Sequence, residues 1–389
     1  MYTLSWGFDF SHFNILRQQL GRGISQPTLP LTAVVLGESK FFSPPPSPPS
    51  PGEFQTLNDD QVTAVVASLH QIITLIDSGP GCGKTEAASY IAREQVKLGR
   101  RVALVCATNS AVDEIASRTQ AVLDGIPVSR VYAATVATDA RSTEMEDFMG
   151  LSTVDKEKVR VFAATPVSFC KININTDVVL FDEASCLNHA EVSAVLRNVK
   201  TSCIFLGDSK QGKPFVQSRR AKELNFQTST FAALVSKGLL VHQLSAQHRM
   251  HPAIAKVPNQ VIYMGRLTDG VAALDRESPF DWEQNLPLKI VSVVGGETRH
   301  VYTFSTYNRA EALAVVQEVK ALLQNGVALD RIVVLSYYRA QLDEVRKYTV
   351  ADRELLGLSL ATVQSYQGKE SDYVILSLSR SNLDNYTGL

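Results

Sequence analysis

The sequence has no apolar stretch approaching the roughly 18 residues that a membrane crossing needs. It also has no secretory start, because Met1-Tyr2-Thr3-Leu4-Ser5-Trp6 places no basic segment ahead of an apolar one. Cysteine is sparse. Cys82, Cys106, Cys170, Cys186 and Cys203 are odd in number and form no C-x-x-C pair. That argues against a disulfide framework or a zinc knuckle and for a reducing compartment, the cytoplasm or the nucleus. Neither sign of charge is in excess: 38 basic residues face 39 acidic ones, for a net charge of −1. Any nucleic-acid binding must therefore rely on a local groove. No repeat of 20–50 residues is evident. The 389 residues, 45% hydrophobic and 20% charged, suit a soluble globular protein of two or three domains.

The feature around which the rest is organised is Asp77-Ser78-Gly79-Pro80-Gly81-Cys82-Gly83-Lys84-Thr85. The apolar run Ile72–Ile76 leads into it and a helix-like stretch, Glu86–Ala92, leads out. Strand, glycine-rich loop and helix are the context of a P-loop. Glycines let successive backbone N–H groups turn into one anion-binding nest, and the helix behind aims its positive end at the same anion. Lys84 adds a full charge for β- and γ-phosphates, and Thr85 a hydroxyl for Mg²⁺. The motif asks for glycine at position 78, where this chain has Ser78.

Residues 1–42 mix aromatics with one β-like run and suggest no role. Residues 43–55 hold Ser43-Pro44-Pro45-Pro46-Ser47-Pro48-Pro49, a polyproline spacer. Asn58 can cap a helix that buries Val62, Val65, Val66 and Leu69. Beyond the P-loop, buried strands are expected at Val102–Ala107, Val161–Pro166, Val178–Phe181 and Cys203–Leu206. They alternate with helices, as in a parallel sheet with right-handed crossovers. Residues 139–158 read as a charged surface insertion. The strand ending in Asp182-Glu183 supplies the second half of P-loop chemistry: Asp182 for Mg²⁺, Glu183 for the attacking water. Gln211, after the next strand, can sense a γ-phosphate. A second domain offers strands at Leu288–Val294, Ile332–Ser336, Leu358–Thr362 and Val374–Leu378, with helices near Arg309–Leu323 and Ala340–Tyr348.

These motifs, in this order, resemble superfamily 1 helicases from Leu57 to the end of the chain. The closest branch is that of the RNA-surveillance helicase of nonsense-mediated decay and senataxin. The resemblance implies that Gln61, in a Q-motif-like Leu57-Asn58-x-x-Gln61, pairs with the adenine edge. Thr108 and Asn109, in a stretch similar to motif Ia, would touch the nucleic-acid backbone. Asp182-Glu183-Ala184-Ser185 is similar to motif II, and Gly207-Asp208-Ser209-Lys210-Gln211 to motif III. Gln247-His248-Arg249-Met250-His251-Pro252 is similar to a segment whose arginine, here Arg249, contacts the γ-phosphate from the second domain. Arg339, in Tyr338-Arg339-Ala340-Gln341, is grouped with the nucleotide residues. So are Gly79, Pro80, Gly81, Cys82, Gly83, Lys84 and Thr85 of the loop. In the motif V-like Thr362–Asp372 stretch, Gly368 and Glu370 approach the nucleotide, and Thr362 the nucleic acid.

The expectation is an α/β protein of two RecA-like domains with mainly parallel sheets between helices, residues 56–246 and 247–389. The implied cofactors are ATP and Mg²⁺. The implied partner is single-stranded nucleic acid, RNA ahead of DNA, with no membrane. The segment that follows motif V in the family, with its second arginine finger, has no counterpart here. The second domain is therefore expected to be incomplete, and a partner chain could complete it. This leaves a rival reading: a catalytically impaired paralogue that binds nucleotide or RNA as an interaction subunit.

Overall fold

A computed structural model describes residue 54 and residues 56–132, 146–172, 174–216, 218–276 and 287–381. The N-terminal region and nearly all of the proline-rich linker lie outside them. The chain packs as two units, the first ending at Arg276.

The first unit is built on eight parallel strands: β1 Ile73–Ser78, β2 Val102–Cys106, β3 Val128–Val131, β4 Glu146–Asp147, β5 Val161–Ala164, β6 Thr176–Asp182, β7 Val199–Gly207 and β8 Val241–Leu244. Their order across the sheet is β4-β3-β5-β2-β6-β7-β1-β8. Both faces are covered, so the central strands are apolar at every position rather than at alternate ones. On one face Val102, Leu104, Val178, Leu180, Ile204 and Leu206 pack with helices α1 Asp59–His70, α2 Lys84–Lys97 and α3 Asn109–Val122. On the other, Ala103, Val105, Val179, Phe181, Cys203 and Phe205 pack with the shorter helices Pro166–Ile172, His189–Leu196 and Thr230–Ser236. Phe181 and Phe205 stack at 4.9 Å across neighbouring strands. Each such side chain contributes about 1.5–3 kcal/mol by leaving water.

The charged stretch expected as a surface insertion is, where described, an element of the fold. Glu146 and Asp147 pair with β3 as an edge strand, and Phe148 is buried edge-on against Phe162 at 5.4 Å.

Within the second unit, β11 Glu297–Arg299 and β12 Thr306–Asn308 form an antiparallel pair. Two further pairing segments in the first unit, β9 Ala246–Gln247 and β10 Thr268–Asp269, are taken up below. The core of the second unit is a parallel sheet in the order β14-β13-β15: β13 Ile332–Ser336, β14 Ser359–Thr362 and β15 Tyr373–Ser377. Helices α5 Arg309–Gln324 and α6 Arg339–Val350 cover one face through Ala312, Val315, Val319 and Val345. Gln341 is fully buried. Its amide donates to the Asn308 carbonyl at 3.2 Å and the Ser377 hydroxyl at 3.0 Å, and its oxygen accepts from the Asn308 N–H at 2.7 Å. The stretch Leu288–Val294, expected as a strand, pairs with no strand among the described residues.

The division between units falls after Arg276, not before Gln247. The motif order places Gln247–Arg276 with the second domain. Packing places it with the first, because it lies on the phosphate loop.

Candidate active site

β1 ends at Ser78, and α2 begins at Lys84 with Gly83 as its N-cap. Gly81 and Gly83 both sit at φ +74°, the left-handed region that glycine adopts without strain. Ser78 does not, since it is still strand. Its hydroxyl donates to the Gly79 carbonyl at 3.3 Å, so a serine fits where the motif has glycine. The first helix is capped by the Asn58 side chain and the third by Thr108, but among the described residues no side chain caps α2. Its first-turn amides remain for an anion.

Gln61 is buried beneath this loop. Its amide donates to the carbonyls of Cys82 at 3.4 Å and Gly83 at 3.3 Å, and its oxygen accepts from Asn58 N–H at 3.0 Å. It therefore braces the loop from below. A Cβ on Gly83 would collide with that amide. Cys82 is buried, and burial together with the Asp208 carboxylate pushes its thiol up to about 12, so it stays protonated.

Lys84 and Thr85 open α2; Asp182 ends β6, two strands away in the same sheet, and Glu183 follows it directly. The Lys84 ammonium lies 2.6 Å from Glu183 Oε1 and 3.7 Å from Asp182 Oδ1. The Thr85 hydroxyl donates to Asp182 Oδ2 at 3.4 Å. Burial alone would push Lys84 down, but Glu183 and then Asp182 outweigh it and hold the ammonium above the ordinary lysine value. Burial pushes the Asp182 carboxyl up; Lys84 pulls it back and Glu183 adds to the rise. Glu183 is a non-glycine residue at φ +50°, ψ +40°, a placement that costs about 1–2 kcal/mol. Its Oε2 is buried and, among the described residues, accepts no hydrogen bond. A hydroxyl beside a buried carboxylate is a hard-oxygen pair that fits Mg²⁺, which takes one or two protein groups plus phosphate and water. Among the described residues no cluster of three acidic, histidine or cysteine side chains offers a metal cage.

The strip after β8 covers the loop. Leu267 approaches Gly79 so closely that a Cβ there would lie 2.5 Å from its Cδ2, and the same holds for Gly81 against the Arg249 Cβ. His248 N–H donates to the Gly81 carbonyl at 2.9 Å. Arg276 holds the strip from behind, donating to the carbonyls of His248 at 2.6 Å and Arg249 at 3.0 Å. Gln247, fully buried, ties β9 to β10 through Asp269 at 2.7 Å. Arg249 thus belongs to the first unit, not to the second as the motif order implies. Gln211 lies at the surface, and the Tyr263 hydroxyl donates to Asp208 at 2.6 Å. Sequence reasoning missed Tyr263, and Asp77, whose carboxylate accepts from Ser209 N–H at 2.8 Å and from Gln243 at 3.3 Å. An acidic residue closing an apolar strand was the available signal for Asp77.

Thr108 and Asn109 are exposed at the start of α3. Thr108 accepts from Ala111 N–H, and Asn109 from the guanidinium of Arg130 at 3.0 Å. Arg130 is fully buried. It pairs with Asp113 at 2.7 Å, donates to the carbonyls of Val131 and Ala163, and lies over the Tyr132 ring at 4.6 Å. An Arg130→Met chain should lose about 2–3 kcal/mol of stability, because buried acceptors are stranded. An unchanged urea midpoint would show that these bonds are not structural.

Arg339, Thr362, Gly368 and Glu370 lie in the second unit. Arg339 opens α6, Thr362 ends β14 and bonds to Ser365, and Gly368 takes φ +83° in the following loop. The Glu370 carbonyl accepts from the Tyr366 hydroxyl at 2.8 Å.

Two family models, each described as an AAA domain, match residues 61–217 and 226–389. The regulator of nonsense transcripts 1 homolog of Arabidopsis thaliana is 29% identical over 379 residues, 84% of this chain and 30% of that protein. The ATP-dependent helicase NAM7 of Saccharomyces cerevisiae is 26% identical over 391 residues, 88% of this chain and 40% of that protein. The chain thus spans about a third of the length of these relatives. Among solved structures, the PRRSV helicase is similar at a TM-score of 0.43 and 15% identity, covering 83% of this chain and 49% of that one. Over more than four-fifths of its length the chain is therefore similar to relatives named as regulators of nonsense transcripts and as ATP-dependent helicases, and the two segments that match family models match AAA domains.

Proposed function

We propose that this chain hydrolyses ATP to ADP and phosphate and couples the cycle to movement along single-stranded nucleic acid, RNA in preference to DNA. The carrying observation is the grouping of Lys84, Thr85, Asp182 and Glu183 at an uncapped helix start. Lys84 and the first-turn amides of α2 bind the β- and γ-phosphates, with Lys84 exchanging Glu183 for phosphate oxygen. Thr85 and Asp182 hold Mg²⁺, which when bound neutralises developing phosphate charge. Glu183, released from Lys84, orients the attacking water and accepts its proton. Arg249 adds positive charge at the γ-phosphate, and Gln211 reports its loss. Gly79 to Gly83, braced by Gln61, keep the cradle in shape. For Arg339, Gly368 and Glu370 on nucleotide, and for Thr108, Asn109 and Thr362 on nucleic acid, the support is the motif resemblance. The reading places the protein in the cytoplasm or nucleus.

The test is phosphate release by the purified chain with and without single-stranded RNA or DNA, alongside a salt titration of strand binding. Turnover should rise with RNA. Log affinity should fall with log salt by about 0.7 per phosphate contact, despite the near-zero net charge. Strand or nucleotide binding without any stimulated release would favour the impaired interaction subunit.

A further inference from the structure

After β8, the strip from Ser245 to Arg276 is tied into one body within the first unit. Thr268 N–H donates to the Ser245 carbonyl at 2.9 Å, and Gly270 N–H to the Gln247 carbonyl at 2.8 Å. Asn259, on helix Pro252–Val261, holds both backbone groups of Leu267. Its amide donates to the Leu267 carbonyl at 2.8 Å, and its oxygen accepts from the Leu267 N–H at 3.0 Å. Arg276, bonded to the carbonyls of His248 and Arg249, closes the far end of the strip onto its start. This body meets the phosphate loop through Leu267 at Gly79 and through Arg249 at Gly81. It also carries Tyr263, 6% exposed, in the core cluster that includes Leu267.

The turn after β7 carries Gln211 and folds round Asp208. Asp208 is 2% exposed; its Oδ1 accepts from Lys210 N–H at 2.9 Å, and its backbone carbonyl accepts from Gln211 N–H at 3.2 Å. The turn is anchored from two directions. Asp77, on β1, accepts from the Ser209 N–H and from the Ser209 hydroxyl, each at 2.8 Å. The Tyr263 hydroxyl donates to Asp208 Oδ2 at 2.6 Å. The first anchor belongs to the sheet and the second to the strip. Burial, and then the Asp208 bond, hold the phenol above the ordinary tyrosine value, so at neutral pH its hydroxyl is the donor. A carboxylate buried this deeply is costly to leave short of a donor. The turn that bears Gln211 is therefore bound to the strip that bears Arg249.

We propose that Tyr263 is a positioning residue for ATP hydrolysis: through Asp208 it keeps the Gln211 turn in step with the strip that carries Arg249. Gln211 and Arg249 then meet the γ-phosphate from one preassembled frame. Tyr263 acts through Asp208 and not on the nucleotide. A displacement of about 1 Å at a reacting group can cost on the order of 100-fold in rate, so one buried hydroxyl outside the site can set turnover. The proposal rests on the reading of Gln211 and Arg249 at the γ-phosphate, and names the group that aligns them.

The test is Tyr263→Phe in the full chain, which removes one oxygen and keeps the buried ring. Turnover at saturating ATP should fall about 10-fold, the worth of a hydrogen bond to a charged group, while the KM for ATP stays within about 2-fold. A double variant with Gln211→Ala should be no slower than Gln211→Ala alone, because both changes act through the same group. Hydrogen exchange gives a readout that needs no turnover. In the parent, a non-hydrolysable ATP analogue should slow the Lys210, Gln211 and His248 amides together. In Tyr263→Phe the His248 amide should still slow and the Lys210 and Gln211 amides should not. The Ser209 amide, held by Asp77, should exchange as in the parent. Additive losses in the double variant, or Lys210 and Gln211 amides that still slow with His248, would overturn the positioning role. So would parent amides that ignore the analogue. A parent chain that binds the analogue yet never hydrolyses ATP would strike the hydrolysis reading and leave the exchange result to decide this one.

Discussion

Lys84→Ala should reduce ATP turnover by on the order of 10³-fold or more, since preorganised charge in a water-poor site is worth several kcal/mol there. The ammonium is the cation that two carboxylates already hold in place, at 2.6 Å and 3.7 Å. The same change leaves a second signature that does not depend on activity. Asp182 already titrates above the ordinary carboxylate range through burial, and Lys84 is the group that opposes the rise. With Lys84 gone the folded-state value climbs further. A carboxyl whose folded value is raised holds its proton more tightly folded than unfolded. Its contribution to stability is full below the ordinary value of about 4 and is lost as pH rises toward the folded one. Lys84→Ala should therefore lose more stability near pH 7 than near pH 5. Turnover like that of the parent chain, or a pH-independent change in melting temperature, would remove Lys84 from this role.

Glu183→Gln should leave nucleotide binding within a few-fold of the parent while slowing hydrolysis by about 10²–10⁴, the range for a lost general base. The amide keeps the shape and can still accept from Lys84 through its oxygen. What is lost is the negative charge and the basic Oε2, which is buried and accepts no hydrogen bond among the described residues. Binding could even tighten, because Lys84 would no longer choose between phosphate and a carboxylate. Titration with a fluorescent ATP analogue separates the two roles. A loss of binding as large as that of Lys84→Ala would mean that Glu183 shapes the loop and does not act on water.

What the sequence disclosed, and what it hid, follows from where each residue finds its partners. β2, β5 and β6 are runs of apolar residues buried on both faces, a pattern visible without any neighbour. β3 and β8 were not visible, because Ser129, Arg130, His242 and Gln243 interrupt them. Arg130 is paid for by Asp113 on α3, and Gln243 by Asp77 at the end of β1. Leu288–Val294 shows the opposite case: a strand-like composition with no ladder among the described residues. In the site, Lys84, Thr85, Asp182 and Glu183 were legible because loop and strand end are local patterns. The inward turn of Gln61, the Tyr263–Asp208 bond and the packing of Arg249 on Gly81 were not. Each depends on segments brought together only by the finished sheet.

The position of β1 between β7 and β8 also sets when the site can exist during synthesis. Asp77 and Gln243, which meet at its end, are 166 residues apart in the chain. At roughly 5–20 residues per second, the phosphate loop leaves the ribosome many seconds before its flanking strands do. Until then β1 is an apolar strand with both edges open, and the interval ends only when the chain has emerged through Leu244. Such long-range parallel pairing is intrinsically slow to form. The nascent first unit therefore passes through a stage in which its most apolar strands need shielding, and nucleotide can assist only the last step of its folding.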